Sequence, residues 1–168
     1  AQVTVLPAPA QVVVPMSQHI GAPAKPLVAV GNQVKMGQKI GDGEGLCVPA
    51  HAPVSGRVIT IEDRPHPGGV RRAVVIENDF QDTAETALTP HPDGEELSPE
   101  EIRSIVREAG ITGMGGAAFP TAVKAQVEPG QVDLLIVNAC ECEPYITADD
   151  ALLRAHPGRV VDGARLLG

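Results

Sequence analysis

Val30-Gly31-Asn32-Gln33-Val34, continued by Gly37-Gln38-Lys39-Ile40, is answered further along by His51-Ala52-Pro53-Val54-Ser55-Gly56-Arg57-Val58. The echo makes two short β halves, and residues up to about Glu85 share their texture. Val12-Val13-Val14, Leu27-Val28-Ala29-Val30, Val58-Ile59-Thr60-Ile61 and Ala73-Val74-Val75-Ile76 are brief apolar runs set between glycines and prolines, the pattern of strands. Gly31-Asn32 and Gly37-Gln38 stand where tight turns need positive φ or a local side-chain hydrogen bond. An all-β first domain over residues 1–85 is the expectation.

The chain has 168 residues, room for one medium domain or a small one plus part of another. Hydrophobic residues make up 43% but aromatics only 2%, so the core must rest on Val, Ile, Leu and Ala. A net charge of −8 argues against nucleic acid as a partner, because phosphate chains call for clustered Lys and Arg. No run is apolar for long enough to span a bilayer. The N-terminus has no signal-peptide pattern and no Met, which suggests a trimmed start. Three cysteines, two of them one residue apart, point to a reducing compartment rather than a disulfide framework.

A linker rich in Pro, Asp and Gly is expected at 86–97, and from residue 98 the texture becomes α/β. Ser98-Pro99-Glu100-Glu101 predicts a capped helix start, with Ile102, Ile105, Val106 and Ala109 on one apolar face and Gly110 as the stop. Next come a glycine loop, a short helix through Val123 and Lys124, and a predicted strand over Val132–Val137. Thr147 and Pro157 should each open a further helix. One strand does not make a parallel sheet, so the domain over 98–168 is expected to be incomplete.

The chemistry concentrates in this second half. Gly113-Met114-Gly115-Gly116-Ala117-Ala118-Phe119-Pro120-Thr121 carries three glycines that let backbone N–H groups approach an anion. Lys124 adds a mobile positive charge, and Phe119 a ring able to stack on a nicotinamide or adenine. Asn138, Glu141 and Glu143 follow the predicted strand, where open α/β sheets place their ligands. Asn can hydrogen-bond a flavin ring, and a carboxylate can hold ribose or ribityl hydroxyls. Gly113, Gly115, Gly116, Phe119, Lys124, Asn138, Glu141 and Glu143 are therefore the candidate cofactor-binding residues. A glycine-rich connection and a solvated acidic loop are the plainer readings of the same stretches. Cys140 and Cys142 lack further ligands at metal-site spacing and are taken as small buried thiols. No residue is assigned as catalytic or metal-binding, and His51, His66, His91 and His156 receive no role.

The paired β halves resemble the barrel-sandwich hybrid of lipoyl and biotinyl carrier domains, in which two half-sheets close over one core. Carriers modify a lysine between the halves, but Gly41–Ala50 contains none, and Lys35 and Lys39 are expected on a solvated strand face. Gln18-His19-Ile20-Gly21-Ala22-Pro23, the β halves, the glycine loop and the stretch from Asn138 to Asp150, with Glu141-Cys142-Glu143-Pro144-Tyr145-Ile146-Thr147-Ala148-Asp149-Asp150 its most specific part, occur in the order seen in the RnfC family. The second half is also similar to the NADH- and FMN-binding subunit of respiratory complex I. Met114 stands where that motif has an arginine, Cys140 where it has an acid, and Ala118 replaces a loop glycine.

The resemblance implies an α+β protein: a barrel-sandwich hybrid, then the start of an α/β flavin/NADH-binding domain. It implies an ion-translocating ferredoxin:NAD oxidoreductase that exchanges hydride between NAD(H) and FMN and single electrons with iron–sulfur clusters. Gly113, Gly115, Gly116 and Lys124 would sit at FMN, Asn138 and Glu141 beside its ring or ribityl chain, and Phe119 and Glu143 towards NAD(H). The [4Fe-4S] clusters would lie outside this chain, which alone is expected to be inactive and to hold FMN weakly. Other Rnf subunits would be its partners and would carry it at the cytoplasmic face of the bacterial membrane. A non-catalytic docking scaffold, or a related cobalamin- or proline-pathway electron-transfer protein, are the alternatives.

Overall fold

The computed structural model describes residues 4–86, 97–114, 116–128 and 130–167. Among the described residues, seven strands build the first half: β1 Gln11–Pro15, β2 Lys25–Pro26, β3 Gln33–Val34, β4 Lys39–Asp42, β5 Ala50–His51, β6 Gly56–His66 and β7 Gly69–Asn78. They form an antiparallel sheet of order β1-β7-β6-β3 and a smaller one of order β2-β4-β5. The two sequence halves exchange strands. β3 of the first pairs with β6 of the second through Gln33↔Arg57 and Val34↔Gly56, and β4 pairs with β5 through Lys39↔His51. Neither half can close alone.

Val14, Met16, Val34, Ile40, Val58, Val74 and Ile76 fill the core between the sheets. Aliphatic burial is the main driving force, at roughly 1.5–3 kcal/mol for each fully buried side chain. The echoed motif ends in Ser55-Gly56, and both residues are structural. The Ser55 hydroxyl donates to Asp79 (2.7 Å) and accepts the Thr83 N–H (3.0 Å), tying down the chain that leaves β7. Gly56 has φ +150°, and a β-carbon there would stand 1.9 Å from the Glu77 carbonyl oxygen.

The expected turns combine both devices. Gly31 and Gly37 have φ of +93° and +84°. The Asn32 side chain accepts the Ala29 N–H, and that of Gln38 accepts the Lys35 N–H, each at 2.9 Å. The Asn32 bond also explains a departure. Leu27–Val30 lies outside the strands, because the Ala29 N–H goes to a side chain instead of a sheet ladder. Residues 83–85 stay attached to the β module through Met36, and most of the expected linker, 87–96, falls outside the described residues.

Helix α1 (Pro99–Glu108) begins with the anticipated capping box: the Ser98 hydroxyl accepts the Glu101 N–H, and the Glu101 carboxylate accepts the Ser98 N–H. It ends with Gly110 at φ +70°. The Gly110 and Ile111 N–H groups donate to the Arg107 and Val106 carbonyls, satisfying the last turn. Three further helices follow, α2 (Thr121–Lys124), α3 (Ala148–Ala155) and α4 (Pro157–Leu167).

The strand expected over Val132–Val137 does not form. Leu134 and Ile136 are 70% and 74% exposed, and no described residue pairs with the segment. A strand is completed by hydrogen bonds to a neighbour, and every strand of the two sheets lies between residues 11 and 78. An apolar run without a neighbouring strand has no ladder to join.

Candidate functional site

The glycine loop is closed at its base. Thr112 and Pro120 form an antiparallel bridge, the Gly113 N–H donates to the Phe119 carbonyl (2.9 Å), and the Thr121 N–H to the Ile111 carbonyl (3.1 Å). Inside this closure a β-carbon on Gly113 would lie 3.7 Å from the Lys124 ammonium nitrogen, so the cation sits directly against the loop. No ion pair to Lys124 is present among the described residues. Gly116 has φ +91° and faces open space, while Phe119 is half-buried. Gly115 lies outside the described residues. The Gly113 N–H is spent within the loop, so the features left to suit an anion are the exposed Gly116 backbone and the Lys124 charge.

The acidic turn is organised differently. Asn138 uses its side-chain oxygen to accept the Cys140 N–H (2.9 Å), leaving its amide N–H groups outward. Glu141 accepts the Asp149 and Asp150 N–H groups at 2.9 and 3.1 Å, so it caps α3 from a distance in sequence. Thr147, the expected cap, makes no side-chain capping bond. Glu143 is exposed. The acidic turn bonds within itself and to the start of α3, whereas the glycine loop bonds to its own base and to Ile20. Cys47 is buried, but Cys140 and Cys142 are exposed, contrary to the expectation of buried thiols, because the segment has no covering layer. No group of His, Cys, Asp or Glu among the described residues is placed to hold a metal ion.

The residues that sequence reasoning missed lie where the β module and the first helix meet. Lys39, expected on a solvated strand face, bridges Asp42 (3.2 Å) and the Glu108 carboxylate. Arg107 bonds Asp42 (2.8 Å), the Gly43 carbonyl (3.2 Å) and Glu108. The four side chains form a closed ring of alternating charge, two from β4 and two from α1. Burial opposes ionisation of Asp42, but bonds from Arg107, the Gly43 N–H and Lys39 outweigh it and hold its carboxyl below the ordinary value. The Lys39 bond does the same for Glu108. Burial would lower Lys39, yet its two carboxylate partners raise it. His51, packed beside Gly110, is pushed down by burial and by the charge of Lys39.

These directions set a pH dependence. Carboxyls lowered in the folded state contribute stability that is complete above their unfolded values, 3.8 for Asp42 and 4.5 for Glu108, and is lost as pH falls through the folded ones. His51 adds a loss that begins below 6.5, where the unfolded chain takes up the proton first. Lys39 contributes below 10.5 and loses its contribution as pH rises through its raised value. The protection of α1 against hydrogen exchange, taken relative to intrinsic amide rates, should therefore be greatest between about pH 7 and 10 and fall towards acid before the β module unfolds. Equal exchange at pH 4 and 8, after correction for intrinsic rates, would count against the ring.

The described residues thus combine a seven-stranded β module with a glycine loop that carries a cation at its base. Comparison with known proteins specifies the combination. Residues 1–81 match the RnfC barrel sandwich hybrid domain, and residues 106–168 match the Nuo51 FMN-binding domain. The first half is thus similar to an RnfC N-terminal domain and the second to the FMN-binding domain of Nuo51. It is 45% identical over 161 residues to an Acetobacterium woodii subunit of the Na(+)-translocating ferredoxin:NAD(+) oxidoreductase complex, covering 94% of this chain and 36% of that protein. It is 42% identical over 168 residues to the matching subunit of the proton-translocating ferredoxin:NAD(+) oxidoreductase complex of Clostridium ljungdahlii, covering 98% and 37%. With a subunit of the ion-translocating oxidoreductase complex of Vibrio cholerae it shares 41% over 162 residues, covering 95% and 21%. The chain spans little more than a third of the length of the first two relatives and about a fifth of the third.

Proposed function

We propose that this chain is part of a peripheral electron-transfer subunit of an ion-translocating ferredoxin:NAD oxidoreductase, contributing one side of an FMN site. The observation that carries the reading is the Lys124 ammonium set against Gly113 with no carboxylate partner among the described residues. Gly113, Gly115, Gly116 and Lys124 would hold the FMN phosphate and ribityl chain. Asn138 and Glu141 would lie towards the flavin, Phe119 and Glu143 towards NAD(H). Bound FMN supplies the conversion between a two-electron hydride and single electrons, which [4Fe-4S] clusters elsewhere in the longer protein would carry. The chain's own residues bind, orient and screen the cofactor.

The barrel is read as lipoyl-like in shape without carrier chemistry, since Gly41–Ala50 has no lysine. No described helix is long and apolar enough to cross a membrane, and association at the cytoplasmic face through other Rnf subunits is the matching arrangement. A docking scaffold is the second reading, favoured by the apolar groove of about 480 Å³ between Leu135, Val137 and the α3–α4 pair.

Titrating FMN and following flavin fluorescence tests the main reading. Saturable quenching by the full-length protein, weakened roughly tenfold by Lys124→Ala, is expected for loss of one charge-assisted phosphate contact. Glu141→Gln should chiefly loosen α3, seen by hydrogen exchange. Failure of the full-length protein to bind FMN would overturn the assignment.

A further inference from the structure

The glycine loop does not stand free of the barrel. At its start, Gly110 is seated where a β-carbon would fall 2.5 Å from the Pro49 carbonyl oxygen and 3.1 Å from the His51 ring. At its far side, the Ala117 carbonyl accepts the Ile20 N–H at 3.1 Å. Between these points lies a cavity of about 440 Å³, lined by His19, Pro49 and His51 from the barrel and by Thr112, Gly113 and Met114 from the loop. Just before the loop, the ring of Lys39, Glu108, Arg107 and Asp42 fixes the end of α1 to β4.

The chain therefore holds the loop region to the β module by three attachments. Gly110 before the loop and Ala117 within it both contact the barrel, and the helix feeding the loop is tied to β4 by the Lys39–Glu108 and Arg107–Asp42 pairs. A glycine-rich segment has the greatest backbone freedom to lose on binding an anion, so restraint imposed beforehand strengthens binding.

We propose that the Lys39–Glu108–Arg107–Asp42 ring is a positioning device for the flavin loop, so that the barrel tunes the cofactor's affinity and potential through the loop. The inference rests on the flavin reading above. Asp42 and Arg107 are positioning residues, acting through Gly110 and the loop base on the backbone groups and Lys124 that would meet the phosphate.

A double-mutant cycle in the full-length protein tests this, using Asp42→Asn, Arg107→Gln and the pair. Hydrogen exchange of residues 111–121 is read without cofactor, and the dissociation constant and midpoint potential are read with FMN. Each single change is expected to speed loop exchange severalfold, weaken FMN about fivefold and displace the flavin potential. The double variant should cost less than the sum of the singles, because both remove the Asp42–Arg107 pair while each also loses a bond of its own, Asp42 to Lys39 and Arg107 to Glu108. Asp42→Glu should restore part of the affinity. Faster exchange confined to α1, with loop exchange, affinity and potential unchanged, overturns the inference while leaving the flavin reading intact. Wild-type protein that binds no FMN overturns both.

Discussion

Gly56→Ala is expected to destabilise the barrel by about 3 kcal/mol or more, lowering its Tm by roughly 10–20 °C. Gly56 lies where β6 meets both β3 and β7, paired with Val34 on one side and Asn78 on the other. Its φ of +150° is open to glycine and strained for any L side chain. The added methyl would stand 1.9 Å from the Glu77 carbonyl oxygen, a backbone atom that cannot rotate aside. Either β6 must separate from β7, or the register around the β6 bulge between Val58 and Thr60 must shift. Gly163→Ala supplies the control. That glycine lies within α4 with open space where its β-carbon would stand, so alanine should leave the barrel unchanged and favour the helix by up to about 1 kcal/mol. Calorimetry of both variants decides the matter: equal melting temperatures would mean that the Gly56 approach is not a constraint.

The second large effect is local. Gly110→Ala is expected to cost roughly 2 kcal/mol, combining left-handed strain at φ +70° with displacement from the Pro49 carbonyl. The barrel core contains no residue from α1, so its unfolding should barely change. The loss should show up instead as faster hydrogen exchange over α1 and residues 111–121, and as weaker FMN binding in the full-length protein. A lowered barrel Tm with unaltered exchange in α1 would contradict this separation. The two substitutions thus divide the molecule: one breaks the β module, and the other detaches the binding loop from an intact one.

Much of the local structure was legible in the residues. The Ser98/Glu101 box, the stop at Gly110 and the turns at Gly31 and Gly37 depend on neighbours a few positions away, and each formed as expected. The central strands were visible because Ala73–Ile76 and Val58–Ile61 are apolar runs bounded by turn residues. The acidic turn was read for its chemistry, but Glu141 is already engaged at the α3 N-terminus. A carboxylate seven residues before a helix carries no local signal for that role.

An all-β first module, the helices that follow it, and a glycine loop trailed by a lysine could all be read from the residues alone. Short-range sterics, hydrogen-bonding capacity and the period of apolar residues are enough to specify them. The folded arrangement was needed to make Lys39 an ion-pair partner of α1 rather than a solvated lysine. It also left Val132–Val137 with no sheet to join, and moored the loop to Pro49, His51 and Ile20. One cause underlies all three: a strand, a salt bridge and a backbone docking contact each need a second partner far away in the chain. Which distant groups meet is set when β4, α1 and the loop converge, and no local pattern encodes it.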